Sequence, residues 1–145
     1  MPSSARKPSS GAILISAMLL SGPNIASAQV LDGRYFGSME CGRLPFARQT
    51  LTIQATLTVT GPTVAFSRVV THSETGGSIG TESGRGRIDA AGRVTIRSSW
   101  RARRDSLTGT YSGQLTAAGG TLRGRQTVMY EGRGYPRSCL ITLRR

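Results

Sequence analysis

The chain has 145 residues, a formal net charge of +12 and two cysteines. A chain of this length fits one ordinary domain and is too short for two. Lys7 is the only lysine and Asn24 the only asparagine, so the excess positive charge comes from arginine. Residues 29–145 have 17 arginines, seven acidic residues and no acceptor for N-linked glycosylation.

The first 28 residues are predicted to be a cleavable secretory signal. Arg6 and Lys7 supply a positive start, an apolar run follows from Ala12 to Leu20, and residues 26–28 have the Ala-Ser-Ala pattern that signal peptidase requires. The alternative is a membrane anchor, but an apolar run of nine residues falls far short of the ~20 that span a bilayer. We expect an exported protein, periplasmic or extracellular, with one mature domain over residues 29–145 and no transmembrane span.

The two cysteines, Cys41 and Cys139, lie near opposite ends of the mature chain. In an oxidising compartment such a pair normally forms a disulfide. Redox catalysis favours a close Cys-x-x-Cys pair, which the sequence lacks. We therefore predict a structural Cys41–Cys139 disulfide.

Alternating apolar and polar residues predict β-strands along the mature chain. Between Thr50 and Thr60, every odd position is apolar and every even position is Thr or Gln, as in a half-buried strand. The predicted strands, three of them weaker candidates, are Arg34–Cys41, Thr50–Thr60, Thr63–Val70, Gly84–Ala90, Arg93–Arg103, Leu107–Thr116, Leu122–Tyr130 and Pro136–Leu143. The glycine-rich run Gly76–Gly86 lacks phosphate-loop spacing and is interpreted as a flexible hairpin connection.

Eight strands joined by short turns predict an all-β fold, either a small antiparallel up-and-down barrel or a closely related sandwich. In a closed barrel the first strand pairs with the last. Cys41 and Cys139 fall on those two strands, so their positions favour the barrel.

Several short motifs resemble a group of short exported β-proteins of Gram-negative bacteria. The motifs are Asp-Gly-Arg-Tyr-Phe-Gly at 32–37, Glu-Cys-Gly at 40–42, Thr-Tyr-Ser-Gly at 110–113, Leu-Arg-Gly-Arg-Gln at 122–126 and Ser-Cys-Leu-Ile-Thr-Leu at 138–143. The resemblance implies an exported β fold and carries no activity, cofactor or site residue.

Residue patterns typical of enzymes are missing from the sequence. His72 is the only histidine, and with Ser73 and Glu74 beside it the three residues are too local to adopt the geometry of a catalytic triad. A zinc site would need further ligands of the His or Cys type. We predict a non-enzymatic protein with no catalytic residues, no metal site and no cofactor.

Arginine is concentrated in the second half of the mature chain. Strand parity places eight arginines on the outer face: Arg85, Arg87, Arg93, Arg97, Arg101, Arg103, Arg123 and Arg125. This face is interpreted either as a surface for an anionic envelope component or acidic partner protein, or as a solvated exterior that guards against strand-edge aggregation. Nucleic acid is not expected as a partner, because no aromatic residues interleave with the basic ones.

The same parity points a few polar residues into the barrel. Arg68, Ser98 and Gln126 share the inner face with Trp100 and Tyr111, and these five are the candidate ligand-binding residues. An inward Arg68 requires either an anionic ligand group or an internal acid. The alternative is a bulge that turns Arg68 outward over a lumen filled by side chains.

Two functional hypotheses follow. The first is an exported binding module that holds a small, anionic or lipidic ligand in its lumen. The second is an envelope structural or interaction protein, an inhibitor included, that uses the arginine-rich outer face.

Overall fold

The computed structural model describes residues 31–47, 52–72 and 74–145 of the chain. The predicted signal segment, the first two residues of the predicted strand Thr50–Thr60, and Ser73 lie outside the described residues. The strands are β1 Gly33–Cys41, β2 Thr52–Thr60, β3 Thr63–Thr71, β4 Ser78–Ile88, β5 Arg93–Arg101, β6 Ser106–Thr116, β7 Gly119–Tyr130 and β8 Arg133–Arg144. No helix within the described ranges is long and apolar enough to cross a membrane.

The eight strands form a closed antiparallel up-and-down barrel. Each strand pairs with its neighbours in the sequence, and β1 pairs with β8 to complete the ring. Cys41 stands opposite Cys139 in the β1–β8 register, and a disulfide joins them. The predicted barrel and disulfide are thereby confirmed. The alternative sandwich is excluded, because two separate sheets would lack the continuous ring of strand pairs that β1 and β8 complete here.

The strand β4 is the main departure from the predicted elements. The sequence predicts a flexible connection over Gly76–Gly86, and this prediction is wrong from Ser78 onward, where the residues belong to β4. Its glycines are packing positions: a Cβ on Gly86 would lie 1.9 Å from the carbonyl oxygen of Thr95 on β5. Glycine here allows the backbones of two paired strands to approach closely. Composition alone does not distinguish such a glycine-rich strand from a glycine-rich loop.

The strands β7 and β8 are also longer than predicted. Tyr130 pairs with Arg133, so only Glu131 and Gly132 connect the two strands. Both connecting residues have positive φ, 49° and 76°. A two-residue turn of this kind matches the twist of the flanking strands and lets pairing continue to the turn.

The two ends of the barrel differ. At the end formed by the turns after β2, β4 and β6, which we call the closed end, apolar side chains fill the lumen. Leu31 is buried at this end, and the Tyr35 hydroxyl donates a hydrogen bond of 2.8 Å to its carbonyl oxygen. The buried apolar side chains of this part are Tyr35, Leu57, Val59, Val64, Phe66, Ile88, Val94, Ile96, Leu115, Leu122, Ile141 and Leu143.

The opposite end, formed by the connections after β1, β3, β5 and β7, is called the open end. Moving along the lumen toward it, the inner face changes from apolar to polar. Four polar or charged residues are buried there, at 7% exposure or less: Arg68, Glu82, Ser98 and Gln126. The candidate functional site is built on this layer.

Candidate functional site

A buried carboxylate organises the polar layer. Glu82 is completely buried on β4 and stands opposite Arg68 of β3 in the strand register. Its Oε2 accepts hydrogen bonds from Arg68 Nε and, at 3.2 Å, from Gln126 Nε2. Its Oε1 accepts hydrogen bonds from the hydroxyls of Ser98 and Tyr111. Four donors therefore compensate the carboxylate for the loss of water.

A second guanidinium joins the layer from β8. Arg137 Nε donates to Gln126 Oε1 at 2.7 Å, and Gln126 Nε2 donates to the Tyr111 hydroxyl at 3.0 Å. Burial, and next the positive charge of Arg68, lower the pKa of Arg137 to about 10. The group thus carries its proton at neutral pH. The pKa of Tyr111 is raised, first by burial and then by the negative charge of Glu82.

The layer has more positive than negative charge, because one carboxylate faces two guanidinium groups. Arg68 Nη2 is buried and has no hydrogen-bond partner, and it is the only such side-chain nitrogen or oxygen in the described ranges. Arg68 Nη1 makes a long contact of 3.4 Å with the carbonyl oxygen of Val69. A buried donor without a partner typically costs about 1–3 kcal/mol, and more when charged. An acceptor brought by a ligand would remove that cost.

A cavity of about 310 Å³ lies at the open end and is lined by both Arg68 and Arg137. Its apolar walls include Met39, Ile53, Val70, Trp100, Leu107 and Val128, and the charged residues Arg43, Glu74 and Asp105 also line it. The cavity therefore combines an apolar body with a cationic patch. Such a combination suits a small amphipathic molecule with one anionic group.

The connection after β1 forms one wall of this cavity. Phe46 stacks on Tyr130, with 4.3 Å between ring centroids, and meets Tyr135 edge-on at 5.1 Å. Leu44, in the same connection, is also buried, at 7% exposure. These aromatic contacts hold the described part of the connection against β7 and β8.

The structure separates the five candidate lumen residues into two groups. Arg68 and Trp100 line the cavity. Ser98, Tyr111 and Gln126 do not line it, but lie in the hydrogen-bonded layer around Glu82. The inward position of Arg68 excludes the bulge that would have turned it outward.

Gly109, on the inner face of β6, does not create the cavity. A Cβ on Gly109 would lie 2.3 Å from the Tyr111 hydroxyl, so the space beside it is already filled. The open volume instead lies at the end of the barrel. There the connections extend the walls beyond the last paired residues.

Sequence reasoning missed Glu82 and Arg137. Glu82 has the same parity as the inward Ile88 on β4, but the preceding glycines led to its assignment as loop. Arg137 shares the odd parity of Cys139 and Ile141 on β8. Extending the predicted strand Gly84–Ala90 by two residues would have placed Glu82 inside the barrel. Arg137 already lies within the predicted strand Pro136–Leu143, and applying the parity of Cys139 to it would have placed it there too.

His72 lies at the rim of the cavity in the connection after β3. It is exposed, and its Nδ1 accepts a hydrogen bond of 3.2 Å from the backbone amide of Glu74. Within the described ranges no group of three or more His, Cys, Asp or Glu residues is arranged to hold a metal ion.

All eight arginines predicted on the outer face are exposed. The structure brings five of them together along a second concave surface on strands β4 to β7, namely Arg85, Arg87, Arg97, Arg123 and Arg125. The other three lie outside it. Arg93 pairs with Asp89 at 2.7 Å in the turn after β4, and Arg101 and Arg103 lie at the open end.

Comparisons with known proteins assign no function to this site. The chain matches no protein-family model, and no curated protein is similar to it in sequence.

Proposed function

We propose that the protein is a non-enzymatic, exported binding module that holds a small amphipathic ligand in the open end of its barrel. The apolar part of the ligand contacts the cavity walls, and its anionic group, a carboxylate, meets Arg68 and Arg137. The disulfide is consistent with export, because such bonds persist in oxidising compartments.

The observation that carries this proposal is the unpartnered Nη2 of Arg68. A buried guanidinium normally has all its donors satisfied. Arg68 Nε donates a hydrogen bond to Glu82, whereas Arg68 Nη2 has no partner. The nearby Arg137 adds a second positive charge. A carboxylate placed between the two would accept hydrogen bonds from both and balance the layer electrically.

Size and rigidity support the same ligand class. A cavity of about 310 Å³ is at the small end of the range for ligand pockets. The polar layer beneath it is fixed by hydrogen bonds from four different strands to Glu82. A site already fixed in position loses little entropy when a ligand binds.

The first test uses decanoate and its uncharged analogue decan-1-ol. Trp100 is the only tryptophan of the chain and lines the cavity, so its fluorescence reports occupancy. We expect saturable binding of both molecules, with decanoate tighter by about tenfold because of the charge-assisted hydrogen bonds. Calorimetric titration provides a second readout that is independent of the fluorophore.

Two single-charge variants locate the anionic group. Arg137→Gln removes a guanidinium that lines the cavity and leaves the Arg68–Glu82 pair intact, whereas Arg144→Gln removes an exposed one from the closed end of the same strand. We expect the preference for decanoate to be lost in Arg137→Gln and kept in Arg144→Gln. Equal binding of decanoate and decan-1-ol to the unaltered protein, or equal effects of the two variants, would overturn the proposal.

A further inference from the structure

A groove runs along the outer surface of the barrel on strands β4 to β7, separate from the cavity. Its open volume is about 730 Å³. The residues that line it within the described chain include five arginines and no Asp or Glu. We call this surface the arginine groove and define it by Arg85, Arg87, Arg97, Arg123 and Arg125.

Strand register explains the shape of the arginine groove. In one row across the sheet, Arg85 stands opposite Arg97, then Thr110 follows on β6 and Arg125 on β7. In the next row Arg87, Thr95, Ser112 and Arg123 occupy the same four strands. Long arginine side chains thus form two walls on β4 and β7, about 14 Å apart along the sheet at the usual strand spacing.

The floor between the walls is mostly hydroxyl groups. Thr95, Thr110 and Ser112 are all exposed there, with Arg97 as the one charged residue among them. Small hydroxyl side chains leave space between the walls and offer hydrogen bonds to a polar guest. The combination of cationic walls and a hydroxyl floor is chemically distinct from the cavity at the open end.

The arginines of the groove lack internal counter-charges. The ion pairs of the described residues join Arg68 to Glu82 and Arg93 to Asp89, and neither pair involves the groove. Arg85 and Arg97 are directly opposite one another in the register. Like charges at opposed positions are unfavourable for pairing of the strands, and an external anion would relieve that repulsion.

We propose that the arginine groove binds an oligosaccharide that carries phosphate or sulfate groups. Arginine forms bidentate hydrogen bonds with such anions, and the Thr and Ser hydroxyls match the hydroxyls of sugar rings. The two walls contact anionic groups on either side of a saccharide chain that lies along the floor. This function is additional to the proposed ligand binding in the lumen and does not depend on it.

The surface around the groove argues against two other anionic partners. The exposed large apolar side chains of the described residues are Phe36, Val69, Ile79 and Met129, and none lines the groove. Docking on a lipid membrane is usually reinforced by apolar insertion beside the basic residues. Aromatic platforms for nucleic-acid bases are lacking too, since the lining residue Tyr111 has its side chain buried inside the barrel.

The test uses a heparin-derived hexasaccharide as the sulfated probe and maltohexaose as its neutral counterpart. Binding is measured by calorimetry at two salt concentrations with the disulfide intact. We expect binding of the sulfated probe only, weakened by salt because the groove is exposed to solvent. The variant Arg97→Gln/Arg125→Gln should bind about tenfold more weakly, since each lost arginine removes charge-assisted hydrogen bonds.

A matched variant distinguishes binding in the arginine groove from a general effect of the protein's net charge. Arg101→Gln/Arg103→Gln also removes two exposed arginines, but outside the groove. It should change the affinity for the hexasaccharide by less than about twofold. Equal losses in the two double variants would show that only overall charge matters and would overturn the proposal.

Two further probes test the identity of the partner. Vesicles containing phosphatidylglycerol and a single-stranded DNA oligonucleotide are titrated against the same proteins. Tighter, groove-dependent binding to either one would overturn the assignment to a saccharide. Decanoate binding should be the same in both double variants, so failure of the groove proposal is distinguishable from failure of the proposed lumen function.

Discussion

Arg68 and Glu82 stand opposite each other on β3 and β4, and their charged groups meet inside the barrel with side-chain exposures of 1% and 0%. Burial of two charges costs several kcal/mol per ion, which their attraction and added hydrogen bonds must offset. The hydrogen bonds to Glu82 supply part of this compensation. The remaining imbalance, with Arg137 as a second cation, is the feature that would link stability of the barrel to the proposed ligand binding.

The variant Glu82→Gln should destabilise the protein strongly. It keeps the shape of the side chain but leaves the Arg68 charge buried without a counter-ion, a change that costs about 3–5 kcal/mol. Adding Arg68→Met removes the buried charge that has no counter-ion, and it should recover at least half of the lost free energy of unfolding. Urea denaturation with the disulfide intact measures Glu82→Gln, Arg68→Met and the double variant. A double variant as unstable as the sum of the two single variants would show that the pair is not coupled.

The hydroxyl of Tyr111 should make stability depend on pH in the alkaline range. Its pKa is raised in the fold by burial and by Glu82, so between pH 10 and the folded pKa the unfolded chain binds fewer protons than the folded one. Stability from this group is therefore full below pH 10 and falls above it, by up to about 1.4 kcal/mol per pH unit.

The comparison with Tyr111→Phe isolates this effect. The difference in the free energy of unfolding between the unaltered protein and Tyr111→Phe should be constant below pH 10 and change in favour of the variant above it. Absorbance of tyrosinate gives an independent readout. If all four tyrosines of the folded protein ionise together near pH 10, the environment assigned to Tyr111 is wrong.

Strand parity alone predicts which side chains enter the lumen, and it succeeds where the alternation along the strand is clear. Arg68 and Gln126 lie in strands with clear alternation, and both are buried as that alternation requires. Glu82 was missed because glycines on β4 resemble a loop in sequence, although in the barrel they permit close backbone contact. Parity thus depends on the strand limits, which composition defines poorly where glycine is frequent.

Other features depend on distances in three dimensions and leave no local signal. The choice between barrel and sandwich rests on whether β1 pairs with β8, and alternation is the same in both. The cavity depends on how the connections fold at the open end, as in the stacking of Phe46 on Tyr130. The arginine groove depends on cross-strand register, which separates Arg97 from Arg101 although both have outward parity.

The Cys41–Cys139 disulfide should contribute a large share of the stability. It joins residues separated by 98 positions and closes the seam between β1 and β8. Chain entropy predicts about 4–5 kcal/mol for a loop of this length. We expect Cys41→Ser/Cys139→Ser to lower the free energy of unfolding by that amount in urea denaturation, and a loss below about 1 kcal/mol would show that barrel closure does not need the bond.

Decanoate binding should depend on pH through Arg137. A carboxylic acid of this type is ionised above about pH 5, so the ligand is anionic throughout the neutral and alkaline range. Burial and the charge of Arg68 lower the pKa of Arg137 to about 10 in the free protein, and a bound carboxylate favours the protonated form. Affinity should therefore be constant from pH 7 to 9 and fall as the pH rises through 10.

The variant Arg137→Gln tests whether this group is responsible. It should bind decanoate more weakly at pH 7 and lack the decrease near pH 10, whereas Arg144→Gln should retain both the affinity and the decrease. Decan-1-ol has no charge to respond to the guanidinium, so its binding should be independent of pH in this window. If the affinity of Arg137→Gln for decanoate still falls near pH 10, the titrating group is not Arg137. That result would also show that the carboxylate of decanoate does not bind at the cationic patch formed by Arg137 and Arg68.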